Sequence, residues 1–173
     1  MKLWLKIGVM AGLAGVIFML ANAYFLQFGI GIQFLAAIII SIVFSIMVNR
    51  EYRNENPDSD HGYGQTFKLS FLTLYTGSIL SSLIIFIVVM FIDPSLYDTF
   101  MQFGMDFSRS IMETMGMPED QIEEAMIIAE EQANSTEYGV SSLLVSCGQS
   151  LGMDILFAAV ISIFLKKKSK DNF

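Results

Sequence analysis

Apolar positions along the chain fall into four long runs, residues 5–25, 30–48, 67–92 and 140–165, separated by stretches of different character. Each run approaches or exceeds the roughly 20 helical residues that cross a hydrocarbon core of about 30 Å. The first two are separated only by Leu26-Gln27-Phe28-Gly29. One straight helix through both would be roughly 60 Å long, so the pattern predicts a tight helical hairpin, with Gly29 and Gly31 giving the backbone freedom to turn. After the second run, residues 49–66 become polar and rich in turn formers around Asn54-Glu55-Asn56-Pro57-Asp58-Ser59-Asp60-His61-Gly62, the pattern of a solvated connector.

Between the third and fourth runs the period changes. Asp93-Pro94 reads as an N-cap followed by proline at a first helical position, and Phe100, Phe103, Phe107 and Ile111 then recur at helical spacing. Gly116-Met117-Pro118 breaks the pattern, and Glu119, Asp120, Glu123 and Glu124 follow, where negative charge suits a helix N-terminus. Two amphipathic helices are predicted, over 94–115 and 118–133. The fold class read from these patterns is an all-α integral membrane four-helix bundle, with a two-helix insertion outside the membrane between membrane helices 3 and 4.

Composition agrees: 54% of the 173 residues are hydrophobic and 16% charged, too apolar for an ordinary soluble domain. With one cysteine, Cys147, and one histidine, His61, the chain can form no internal disulfide and no Cys/His zinc site; no metal or cofactor is expected. The charge is unevenly placed. Lys2, Lys6, Arg50, Arg53, Lys68 and the tail Lys166-Lys167-Lys168-Ser169-Lys170 fall on one side if both termini are cytoplasmic, whereas residues 93–140 hold one basic residue, Arg109, against eleven acids. The positive-inside rule therefore predicts a multi-pass protein of the inner membrane with the acidic segment outside. Trp4, Tyr24, Tyr97 and Tyr138 lie near the predicted boundaries, where amphipathic rings prefer to sit. An alternative stays open at the N-terminus, because Lys2, Lys6, the apolar stretch and Ala21-Asn22-Ala23 also resemble a cleavable secretory signal. The length of the run and its Gly8, Gly12, Gly15 face favour a retained first helix.

One acid interrupts the fourth run. Asp154 sits about eleven residues from the end of that run, roughly 16 Å deep at the helical rise, where an isolated charge costs on the order of 2.5–3.5 kcal/mol. It should therefore face other helices. Ser142, Ser146, Ser150, Asp154, Ala158 and Ser162 recur every four residues as a small, polar ridge, of the kind that lets helices approach and hydrogen-bond in lipid. Ser70, Thr73, Gly77 and Ser81 make a comparable stripe on the third run, and depth counting brings Ser78, Ser81 and Ser41 near Asp154. The candidate intramembrane seam is thus Ser78, Ser81, Ser146, Ser150 and Asp154. Two readings stand: Asp154 bonds a serine and holds helices together, or it binds a proton or cation.

Outside the spans, Phe100, Phe103, Phe107 and Ile111 form an apolar face that isolated helices would leave uncovered. The leading functional expectation is a non-enzymatic structural or interaction protein whose external helices dock a protein partner or another copy of the chain. The alternative is a small transporter or channel subunit using the seam at Asp154. No nucleophile elbow, phosphate loop, HExxH motif or framed carboxylate pair is present, so an enzyme ranks last. Met101, Met105, Met112, Met115, Met117 and Met126 read as adaptable packing more readily than as a Cu(I) site. Residues 56–62 lack the downstream glutamate of a calcium loop, and Asn134-Ser135-Thr136 is a sequon that matters only in a eukaryotic secretory pathway. Lipid is the one certain partner class, and no nucleic acid is expected.

Three short motifs carry a family resemblance: Tyr52-Arg53, then Gly62-Tyr63-Gly64-Gln65-Thr66-Phe67-Lys68 opening the third run, then Phe91-Ile92-Asp93-Pro94 closing it. In order and spacing they resemble a domain-of-unknown-function family of small bacterial inner-membrane proteins, with Thr66 where that family carries alanine. The resemblance implies a four-helix inner-membrane fold and no assigned activity. Asp154 is not part of the pattern.

Overall fold

The computed structural model describes residues 2–26, 30–57, 59, 61–135 and 139–166. Several readings fall outside those residues: the hairpin turn at Gln27-Phe28-Gly29, Asp58 and Asp60 of the connector, Thr136 of the sequon, Tyr138, and Lys167, Lys168 and Lys170 of the basic tail. Among the described residues there are helices and no strand. In chain order they are α1 (Leu3–Ala21), a π-helical turn (Asn22–Leu26), α2 (Ile30–Glu55), α3 (Tyr63–Phe91), α4 (Ser95–Thr114), α5 (Glu119–Ser135) and α6 (Val140–Leu165). The four long ones, α1 with its π-turn, α2, α3 and α6, are long and apolar enough to cross a membrane.

α3 is the hub and meets α1 and α6 most extensively. The α1–α3 contact follows from glycine. A Cβ at Gly8 would fall 2.8 Å from Thr73 O, and one at Gly12 only 2.7 Å from Gly77 O, so the two backbones approach as only small residues allow. The register runs from Gly8 beside Thr73, through Gly12 beside Gly77, to Gly15 beside Ser81, which makes α1 and α3 parallel. α2 and α6 run the other way. Asn49 Nδ2 on α2 donates to Ser70 Oγ on α3 at 2.9 Å, and Arg53 Nη2 donates to Leu165 O at the C-terminus of α6, where a cation offsets the exposed carbonyls.

The connector expected over 49–66 is shorter than its composition suggested. α2 continues to Glu55 and α3 already starts at Tyr63. The extension is held by tertiary contacts: Asn49 is buried against Ser45 and Ser70, and Tyr52 packs on the Ile7, Val48, Leu69 cluster. Pro57 then ends the helix, since the residue before a proline avoids helical geometry. At the start of α3, Thr66 is buried and its hydroxyl donates to Gly62 O at 3.0 Å.

α4 begins where read. Asp93 Oδ1 accepts from Ser95 N at 3.1 Å and Ser95 Oγ at 2.6 Å, capping the first turn, and Tyr24 Oη donates to Asp93 Oδ2 at 2.7 Å, tying the π-turn to the α3–α4 junction. α4 ends at Gly116, the one described glycine with a positive φ, 74°. Gly116 N bonds Glu113 O and Met117 N bonds Met112 O, the pair that closes a helix on a left-handed residue. Arg109 then bridges α4 to α5 by pairing with Glu113 at 3.0 Å and with Glu119.

Candidate functional site

Two apolar clusters close the ends of the packed region. Ile7, Val48 and Leu69 gather with Trp4, Phe44 and Tyr52 at one end, and Val16, Ile85, Val89 and Leu96 with Met19, Tyr97 and Phe100 at the other. Between them the sequence places small and hydroxylic residues, which pack helix backbones closely but fill less space than leucine or phenylalanine. A partly open cavity of about 360 Å³ results, bounded by α1, α2, α3 and α6.

Its lining is mixed. α1 contributes only apolar residues, among them Phe18 and Met19, and α2 and α3 add Ala37, Ile40 and Leu74, whereas Gln33 and Ser41 of α2, Ser78, Ser81 and Ser82 of α3, and Ser150 and Asp154 of α6 are polar. Asp154 is 6% exposed. Ser78 lies beside its carboxylate, while Oδ2 has no hydrogen-bond partner among the described residues. Ser81 Oγ donates to Gly12 O at 2.9 Å and Ser150 Oγ donates to Cys147 O at 3.0 Å. Both hydroxyl protons are therefore committed to backbone, and the oxygens can present only lone pairs to the cavity. Among the described residues no basic side chain lines it.

The seam residues read from sequence separate into two sets. Ser78, Ser81, Ser150 and Asp154 share this cavity, but Ser146 is exposed and its hydroxyl donates back to Ser142 O at 2.9 Å. The reason is geometric: a four-residue step overshoots a full turn by about 40°, so the ridge that buries Asp154, Ala158 and Ser162 has rotated off the packed face by Ser146. Gln33 and Ser82 were not singled out by the sequence. Gln33 is the lone amide in its apolar run, and that is the signal that could have drawn attention to it.

The polar lining continues beyond the cavity. Ser41, Ser45, Asn49 and Arg53 follow at four-residue steps on α2; Asn49 bonds Ser45 O and Ser70, and Arg53 reaches α6. Ser45, Thr73 and Ser162 are fully buried, and their hydroxyls have no partner among the described residues. The apolar face expected to dock a partner is partly spent within the chain. Phe100 packs on the Val16, Ile85, Val89 and Leu96 cluster, Phe107 stacks on Phe34 of α2 with ring centres 6.1 Å apart, Phe103 is half-buried and Ile111 is exposed.

Four membrane-length helices around a cavity point to a multi-pass membrane protein. The chain belongs to the family described as a protein of unknown function, DUF4199, which matches residues 6–167. That bears out the resemblance to a family of unknown function. No curated protein and no solved structure matches the chain.

Proposed function

We propose that this protein is a non-enzymatic transporter or channel subunit of the bacterial inner membrane, a four-helix bundle that takes up a cation at Asp154. The observation that carries the reading is Asp154, a buried carboxylate that lines the cavity and whose Oδ2 has no hydrogen-bond partner among the described residues. Burying a carboxylate at mid-span costs on the order of 2.5–3.5 kcal/mol, while an interhelical hydrogen bond returns about 0.6 kcal/mol on average. The Ser78 contact does not offset that cost, so the carboxyl is either neutralised by a proton or paired with a cation. The cavity beside Asp154 gives room for the second.

Orientation follows the basic residues: Arg50, Arg53, Lys68 and Lys166 near the α2–α3 connection and the end of α6 place both termini in the cytoplasm, with α4 and α5 outside. Proteoliposomes under a sodium, potassium or alkylammonium gradient should show an electrogenic current that Asp154→Asn abolishes at equal reconstitution. Equal currents in the two proteins would end this reading.

A second reading keeps a protein partner or another copy of the chain on α4 and α5, favoured by the exposed Ile111, Ile127 and Ile128. Mild crosslinking followed by affinity purification tests it, with Ile111→Ser/Ile127→Ser as control. An unchanged set of crosslinked products would remove it.

A further inference from the structure

We infer that the cavity at Asp154 recognises a small organic monocation, a primary ammonium on an apolar body, in preference to a bare metal ion. The inference deepens the cation-site reading above and rests on it. Charge comes first: among the described residues the lining holds one carboxylate and no lysine or arginine, so the complement is a single positive charge and an anion is repelled.

Donor and acceptor counting comes next. Asp154 lines the cavity with its carboxylate, and Ser81 and Ser150 have given their hydroxyl protons to Gly12 O and Cys147 O. The carboxylate and these two hydroxyl oxygens are acceptors, beside Gln33, Ser41 and Ser82, which can also donate. A primary ammonium carries three N–H donors, and a buried carboxylate is its strongest acceptor.

Size and wall chemistry separate an organic ion from a metal ion. At about 360 Å³ the cavity lies at the small end of organic-ligand sites, far more room than a dehydrated alkali ion fills. The apolar part of the lining is Ala11, Phe18 and Met19 of α1, Ala37 and Ile40 of α2 and Leu74 of α3. These atoms cannot ligate a metal strongly, but they can cover a short alkyl or aryl body. One acid in a largely apolar lining matches a ligand with a charged head and a greasy tail.

Purified protein in detergent is titrated with butylammonium, phenethylammonium, sodium, potassium or butyrate at constant ionic strength and neutral pH, reading thermal stability and calorimetric binding. The two amines should bind saturably, about tenfold or more weakly in Asp154→Asn. Ala37→Leu, which adds bulk at an exposed lining position, should weaken phenethylammonium more than butylammonium, and it serves as the test if Asp154→Asn does not fold. If sodium or potassium binds in an Asp154-dependent way and the amines do not, the amine assignment falls while the cation site stands. If amines shift wild type and Asp154→Asn equally, or no cation depends on Asp154, both readings fall.

Discussion

Asn49 and Ser162 are both buried polar residues, yet removing them should have opposite consequences. Asn49 Nδ2 donates to Ser45 O at 2.8 Å and to Ser70 Oγ at 2.9 Å, so Asn49→Ala takes away two bonds and leaves a buried hydroxyl exposed to nothing polar. It should lower stability by about 1–2 kcal/mol in detergent unfolding. The Ser162 hydroxyl already lacks a partner among the described residues, so Ser162→Ala should leave the unfolding midpoint unchanged or raise it, because an unsatisfied polar group is replaced by an apolar one. At this scale the sequence exposed what breaks a pattern. Asp154 is the one acid in the fourth run; depth counting pointed to Ser78, Ser81 and Ser41 and the four-residue ridge to Ser150, and all four line the cavity with it. Spacing could not find Phe18 or Met19 as part of the lining, since an apolar residue on a helix apolar all round carries no directional signal.

Elements were more legible than their ends. Four helices were read from the length of apolar runs and two from helical spacing and end signals, while the connector was read too long: residues 49–55 and 63–66 are helical, the former held by contacts with α3 and α6 that composition does not reveal. The α1–α3 seam is the most size-sensitive contact between elements. Gly12→Leu would drive a side chain into Gly77 O and Leu80 Cβ and should cost about 1–3 kcal/mol or more, read as a lowered melting temperature and loss of the cavity. The α3–α4 junction carries a pH signature instead. Hydrogen bonds from Ser95 first and Tyr24 second hold the Asp93 carboxyl below the usual carboxylate range. A depressed folded value stabilises the junction above the unfolded pKa of about 4 and is lost as pH falls through the folded value. Amide protection at the start of α4, the exchange rate corrected for its intrinsic pH dependence, should therefore be flat from neutral pH to about pH 4 and fall below it, and Asp93→Asn should abolish that acid step. The amphipathic face of α4 was legible too; that its Phe107 would meet Phe34 was not, because pairing across 73 positions leaves no trace in local spacing.

For the whole molecule, the proposed orientation can be read with single cysteines. In a Cys147→Ser background, Ser110→Cys on α4 should react with a membrane-impermeant maleimide on intact cells, and Asn54→Cys at the end of α2 should react only after lysis; both positions are exposed. The opposite pattern would invert the assigned orientation. The glycine seam also bears on how such a chain is made. A ribosome delivers helices one after another, but α1 finds its closest fit on α3, not on α2 beside it in sequence. Until α3 enters the bilayer, the glycine face of α1 has only lipid against it, and the α1–α2 pair is a provisional arrangement. Assembly therefore waits on the third helix, and continuity of the backbone through residues 56–62 is not what holds the two parts together. A chain severed there and co-expressed as two fragments should reunite through the close fit of Gly8 and Gly12 against α3, and Gly12→Leu should keep the fragments apart.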